Sequence, residues 1–385
     1  MKTLRQSIHN GIRRCTENPK FVLTAIFLLL LGFSSRALTA QSKMPPPPSH
    51  STAVPNQPID KTTIEEVVNA AGKALDSRYV FPDTGAKLAA MLRSNEAKHE
   101  YDSITSGTAL ADRLTTDIYA VAHDKHIRLR YPDMQVFHAG PPTPEEQARM
   151  KRGMAWENNG FTRVERLDGN VGYIKIDALL PTEMGGDTAK AAMAFVINTD
   201  ALIIDLRENG GGTPEMIDLL CTYLFPVGQR VHLNDFQDRG RPGLQEFFTF
   251  ASIPGGKSLA GKPVYVLTSH DTFSGGEELA YDLQTQKRAT LIGEVTRGGA
   301  NPGGPVPLPA HFTIFVPTGR AINPITKTNW EGVGVKPDIE VPADQSLGVA
   351  EKMALTAIEK KVPPVGPQHD EIEDALKALK AKGSK

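Results

Sequence analysis

Two short apolar runs, each leading through a glycine-bearing turn into a helical pattern, constrain this 385-residue chain more than any other feature. Ala201 to Ile204 runs into Asp205-Leu206-Arg207-Glu208-Asn209-Gly210-Gly211-Gly212, and Pro214 to Phe225 then has helical spacing. Val264 to Thr268 runs into a turn ending Phe273-Ser274-Gly275-Gly276, with a helix predicted from Gly276 to Leu283. Further strands are predicted at Val171 to Ile176, Thr290 to Gly293, His311 to Pro317 and Ile339 to Val341. Strands alternating with helices predict an α/β core domain over residues 160–355.

The texture upstream is different. Val67, Val68, Ala71 and Leu75 recur at helical spacing behind a cap at Thr62 or Thr63. Pro82 interrupts, Ala86 to Leu92 forms a short second helix, and Ala109 to Val121 a third. These predict a small N-terminal helical domain over residues 60–135. Residues 41–59, with Pro45 to Pro48, Pro55 and Pro58, form an extended linker. Residues 363–385 hold at most one exposed or loosely docked helix, through Ile372, Leu376 and Leu379.

Residues 1–40 have the order of a secretory signal peptide: Lys2, Arg5, Arg13, Arg14 and Lys20, then apolar Phe21 to Phe33, then small residues to Ala40. Removal after Ala40 is expected, with an uncleaved anchor as the alternative. The apolar run is shorter than the roughly 20 residues that cross a bilayer. The mature protein is therefore expected to be exported, periplasmic or secreted, with no membrane span after signal removal. The whole chain has a net charge of −1, and the leader holds a basic excess. The mildly acidic remainder has no electrostatic footprint for nucleic acid. Cys15 leaves with the leader, so Cys221 stands alone in an apolar stretch as a buried, inert thiol.

Four segments could carry chemistry. Ser274 stands where a polar turn becomes a helix, so its hydroxyl lies at the positive end of the helix dipole, as a nucleophile requires. The same position suits a plain helix cap, with Glu277 completing a capping box. Gly210, Gly211 and Gly212 expose backbone N–H groups as an oxyanion hole would, or form a tight turn. His126, in His123-Asp124-Lys125-His126, can project from a bend as a base or serve structure. Glu331, in Asn329-Trp330-Glu331-Gly332, can orient a base or be solvated.

In that order and spacing, these segments resemble the tail-specific (C-terminal processing) serine peptidases, with the tricorn core protease and the interphotoreceptor retinoid-binding modules. Asn170-Val171-Gly172-Tyr173-Ile174, Leu291-Ile292-Gly293-Glu294 and Gly332-Val333-Gly334-Val335-Lys336-Pro337-Asp338 add to the likeness. The resemblance implies a crotonase/ClpP-like core of ββα units behind the helical domain, and a peptide or protein substrate. With one cysteine left after the leader and no ligand cluster apparent in the sequence, neither a metal nor a cofactor is expected. A PDZ domain commonly precedes the core in that family, and residues 132–160 are too short for one.

Tail-specific enzymes pair the serine with a lysine at the position of Gly299, so a Ser–Lys dyad is not expected. The tricorn-like branch uses Ser, His, a second Ser and Glu, matched here by Ser274, His126 and Glu331. Lys125 stands where the second Ser would be. By analogy His126 takes the proton of Ser274, and the N–H of Gly275 with that of Gly211 or Gly212 holds the oxyanion. The retinoid-binding relatives imply the alternative, a non-catalytic module for an apolar ligand. Acyl-CoA chemistry on the same fold would not need Ser274 and His126 together, and the leader places the chain away from cytosolic CoA.

Overall fold

The computed structural model describes residues 58–132, 143–253 and 255–382. The predicted leader and nearly all of the linker lie outside them, as does part of the 132–160 bridge.

Three helices open the described chain: α1 (Lys61–Arg78), α2 (Pro82–Ala97) and α3 (Gly107–Ala122). The cap of α1 is Asp60, whose carboxylate accepts the N–H of Thr63 at 2.8 Å, rather than Thr62 or Thr63. Pro82 starts α2 instead of merely interrupting, because its missing N–H costs nothing at the first helical position. Ile64, Val68, Leu75, Leu88, Leu92, Leu110, Leu114 and Ile118 bury their side chains in one cluster. That cluster also takes in Ile314 and Val316. They belong to a sheet in which β1 (Arg128–Arg130) pairs antiparallel with β10 (Thr313–Pro317), itself beside β9 (Gly303–Pro307). The helical region thus shares its core with strands from far along the chain.

After α4 (Pro144–Trp156) the core begins. It comprises β2 (Phe161–Leu167), β3 (Val171–Ile176), α5 (Thr182–Val196), β4 (Ala201–Asp205), α6 (Pro214–Thr222), β5 (His232–Asp238) and β6 (Gln245–Phe248). It continues through β7 (Val264–Thr268), α7 (Gly275–Thr285), β8 (Thr290–Gly293), β11 (Gly319–Ile322), β12 (Ile339–Glu340) and α8 (Ala343–Glu359). The main sheet has the order β12-β8-β7-β4-β3-β2, parallel except for the β2–β3 pair. Every residue of β4 and of β7 is buried, which explains their unbroken apolar runs. Leu202, Ile204, Val264 and Val266 face α5, α6 and α7, while Ala201, Ile203, Tyr265 and Leu267 face α8. Each of the Leu, Ile and Val side chains among them contributes about 1.5–3 kcal/mol by leaving water. The result is the expected mixed α/β architecture with a helical N-terminal region.

Two features depart from expectation. A small antiparallel sheet, β11-β5-β6, stands beside the main one. And the C-terminal segment forms α9 (Pro367–Lys382), which is docked: Ile372 is 1% exposed and joins the cluster under α8. Its apolar residues repeat at helical spacing, but what they cover is not local in sequence. Among the described residues no helix is long and apolar enough to cross a membrane.

Candidate active site

The end of β7 places Ser274. Its turn is stitched to the loop after β4: Thr272 Oγ1 donates to the Leu206 carbonyl at 2.8 Å, and Phe273 N–H to that of Asn209 at 2.9 Å. Ser274 then caps α7 with φ +52° and ψ −120°, a conformation that L-residues rarely adopt and that local bonding must hold. Glu277 supplies part of that bonding. Its buried carboxylate accepts the N–H of Ser274 at 2.9 Å, that of Gly299 at 2.8 Å and that of Gly298 at 2.6 Å, besides the Thr296 hydroxyl. Burial raises its pKa, while these donors lower it.

His126 arrives from the other core. α3 ends at His123 in the left-handed region, and Asp124 to Ile127 turn the chain into β1. The buried imidazole puts Nε2 3.1 Å from Ser274 Oγ. Phe273 and Phe315 flank the ring at 4.5 and 5.7 Å. Burial holds the His126 pKa below the ordinary imidazole value, with Asp124 opposing and Arg297 reinforcing the shift. The ring is therefore neutral at pH 7, as a base must be.

Asp124 and Glu331 lie behind the imidazole. Asp124 accepts the His126 backbone N–H at 2.9 Å through Oδ1, which is 3.8 Å from Nδ1. Tyr79 and Asn301 donate to its Oδ2 at 3.2 and 2.9 Å. Glu331 Oε2 accepts the Ala300 N–H at 2.6 Å. Its Oε1 and His126 Nδ1 are both buried without a hydrogen-bond partner among the described residues. Burial first, then the Asp124 carboxylate, pushes the Glu331 pKa up to about 8. One ligand atom from each of Asp124, His126 and Glu331 lies within 4.8 Å of the others, close enough to orient the imidazole or to hold a cation.

Lys125 leaves the cluster, and its ammonium donates to the Arg297 carbonyl. It and His126 part company in a turn rather than along a strand. Gly299 explains the missing lysine sterically: a Cβ there would lie 2.3 Å from Phe273 Cε2 and 2.7 Å from His126 Cε1. The imidazole occupies the room a side chain at 299 would need.

The glycine loop after β4 lies against the start of α7. A Cβ at Gly275 would fall 2.8 Å from the Gly212 nitrogen, so only glycine permits that approach. The N–H of Gly211 is committed to Asn209 Oδ1 at 2.8 Å, which leaves that of Gly212 as the partner for Gly275. The geometry thus brings together Ser274, His126, Glu331, Gly275 and Gly212. It adds Asp124, Asn209 and Asn301, which the sequence did not single out, and gives Glu277, expected only as a cap, a wider set of partners; the one local hint was Asp124, two residues before His126.

Comparison with known proteins finds a family for two stretches of the chain. Residues 170–341 match peptidase family S41, and residues 60–159 match the N-terminal domain of peptidase S41 in eukaryotic IRBP. The chain belongs to peptidase family S41. A carboxyl-terminal-processing protease of Synechocystis sp. is 38% identical over 179 residues, 43% of this S41 chain and 37% of that protein. A carboxy-terminal-processing protease of Bartonella bacilliformis is 28% identical over 182 residues, 46% of this chain and 40% of that protein. The S41 chain therefore matches well under half the length of these relatives. Among solved structures, a lipoprotein from Streptococcus agalactiae shares the fold with a TM-score of 0.52, 14% identity and coverage of 78% of this chain and 97% of that one. A candidate peptidase from Parabacteroides merdae does so with a TM-score of 0.50, 17% identity and coverage of 85% and 98%.

Proposed function

We propose that this chain is an exported serine-type peptidase in which Ser274 attacks the peptide carbonyl and His126 is its base. The reading rests above all on the 3.1 Å approach of His126 Nε2 to Ser274 Oγ at the start of α7. Nε2 takes the hydroxyl proton as the Oγ–carbon bond forms, and returns it to the leaving amine as the peptide bond breaks. Water, deprotonated by the same nitrogen, then releases the acyl group. The N–H groups of Gly275 and Gly212 hold the oxyanion, each such donor typically worth about 2.7–4 kcal/mol in the transition state. Asp124 and Glu331 position the imidazole. The basic–apolar–small order of residues 1–40 supports action outside the cytosol.

The test is hydrolysis of an unstructured peptide by the purified protein. Ser274→Ala should lower turnover by about four orders of magnitude or more, with the circular dichroism spectrum unchanged. A folded Ser274→Ala protein that still cleaves overturns the assignment. A folded wild type with no cleavage of any peptide points instead to the ligand-binding role.

A further inference from the structure

On the small sheet, away from Ser274, β5 and β6 bring His232, Asp235 and Glu246 together, with one nitrogen or oxygen of each within 4.8 Å of the others. Residues three apart on a regular strand face opposite sides. The register shift between His232 and Asn234 supplies the irregularity that brings His232 to the side of Asp235, where Nε2 lies 2.6 Å from Oδ1. Asp235 pairs directly with Glu246 across the two strands. Two carboxylates so placed repel each other. Among the described residues neither forms an ion pair with Lys or Arg, and the side chain set against Asp235 is the His232 imidazole. Arg230 lies over the Phe248 ring, 4.1 Å from its centroid. The imidazole of His232 is stacked on Phe248, its own cross-strand neighbour, at 4.4 Å and 17°, which fixes its plane. Asp235 is buried, His232 half-buried and Glu246 exposed, so the cluster is closed on one side and open to solvent on the other.

We propose that His232, Asp235 and Glu246 form a binding site for a divalent transition-metal cation. One imidazole nitrogen and two carboxylate oxygens suit Zn²⁺, with water in the fourth position. The cation offsets the opposed carboxylates and clamps β5 to β6. Gln286, at the C-terminal cap of α7, donates to the His232 carbonyl at 2.7 Å, so the clamp bears on the helix whose other end carries Ser274.

The experiment titrates Zn²⁺ into the metal-stripped full chain by calorimetry and follows thermal unfolding with and without the ion. Wild type should bind one equivalent and melt at a higher temperature when loaded. His232→Ala and Glu246→Gln should each weaken binding by about tenfold or more. Glu246→Gln should also raise the melting temperature of the metal-free protein, since it removes one of two opposed charges, while abolishing the rise that Zn²⁺ induces. A wild type that binds no Zn²⁺ overturns the proposal. So does binding that survives both substitutions, which would put the ion on Asp124, His126 and Glu331 or at the surface.

Discussion

At the scale of single residues, the identity of the base turns on three neighbours in space. Gly299 leaves no room for a lysine beside His126, and Lys125 is held on the Arg297 carbonyl. His126→Ala should therefore cost about as much as Ser274→Ala, because members of one catalytic unit are not additive. Lys125→Ala should leave turnover within a few-fold of wild type. Because burial lowers the His126 pKa, the acid limb of kcat/KM should fall below the ordinary imidazole value of 6.5. Glu331, with its pKa near 8, is largely protonated at pH 7; Glu331→Gln should cost little there and more above pH 8. Steady-state kinetics on these variants across pH decides it. An inactive Lys125→Ala beside an active His126→Ala would reverse the roles. Ser274, His126 and Glu331 were legible through a family resemblance, since each has an ordinary structural role on its own. Asp124 and Asn301 were not, because the fold brings them together across 177 positions.

At the scale of elements, α7 is the part that must be held. Its N-terminus carries Ser274 in a strained conformation, and Glu277 ties that residue to Gly298, Gly299 and Thr296. The sequence suggested Glu277 only as a local cap. The capping bond to the Ser274 N–H is present, but the carboxylate also reaches a loop some twenty residues on. Glu277→Gln keeps the volume while replacing one acceptor oxygen by a donor, so buried N–H groups lose their partner. It should destabilise the protein by about 3 kcal/mol and lower turnover more than tenfold, read by urea denaturation and by peptide hydrolysis. A variant with wild-type stability would remove Glu277 from this role. Except for β2, the strands of the main sheet were legible from apolar runs beside glycine-bearing turns. β2, β5, β6, β9 and β11 were not: β6, β9 and β11 are short edge strands, and β2 and β5 carry too many polar residues to show a hydrophobic pattern. The sequence left α9 exposed or loosely docked for another reason: the surface it covers comes from β2, β3 and α8.

At the scale of the whole molecule, a group of buried carboxyls sets how stability responds to pH. Burial, then Glu278, pushes Asp218 up to about 8, and burial pushes Glu278 up to about 7. Asp282 beside them is raised as well, and Asn323 donates to its Oδ1 at 3.3 Å. A carboxyl whose folded pKa exceeds its unfolded value holds a proton that the unfolded chain has lost. Its stabilisation is complete below the unfolded pKa and disappears as pH rises through the folded one. His126, lowered by burial, acts oppositely, but its effect is complete once the unfolded imidazole has titrated. Stability should thus fall from neutral pH to about pH 9, by on the order of a few kcal/mol, since one unit is worth about 1.4 kcal/mol. Asp218→Asn should flatten that decline. Urea midpoints that stay level or rise over this range would contradict it.

The central claim, that Ser274 is a nucleophile made reactive by His126, is tested most directly with a fluorophosphonate probe, followed by mass spectrometry of the digested protein. The oxygen of a reactive serine displaces fluoride and forms a stable bond to phosphorus. We predict one adduct, on the peptide containing Ser274, absent from Ser274→Ala and formed far more slowly in His126→Ala. A folded protein that stays unlabelled, or that carries the label on another residue, would contradict the account.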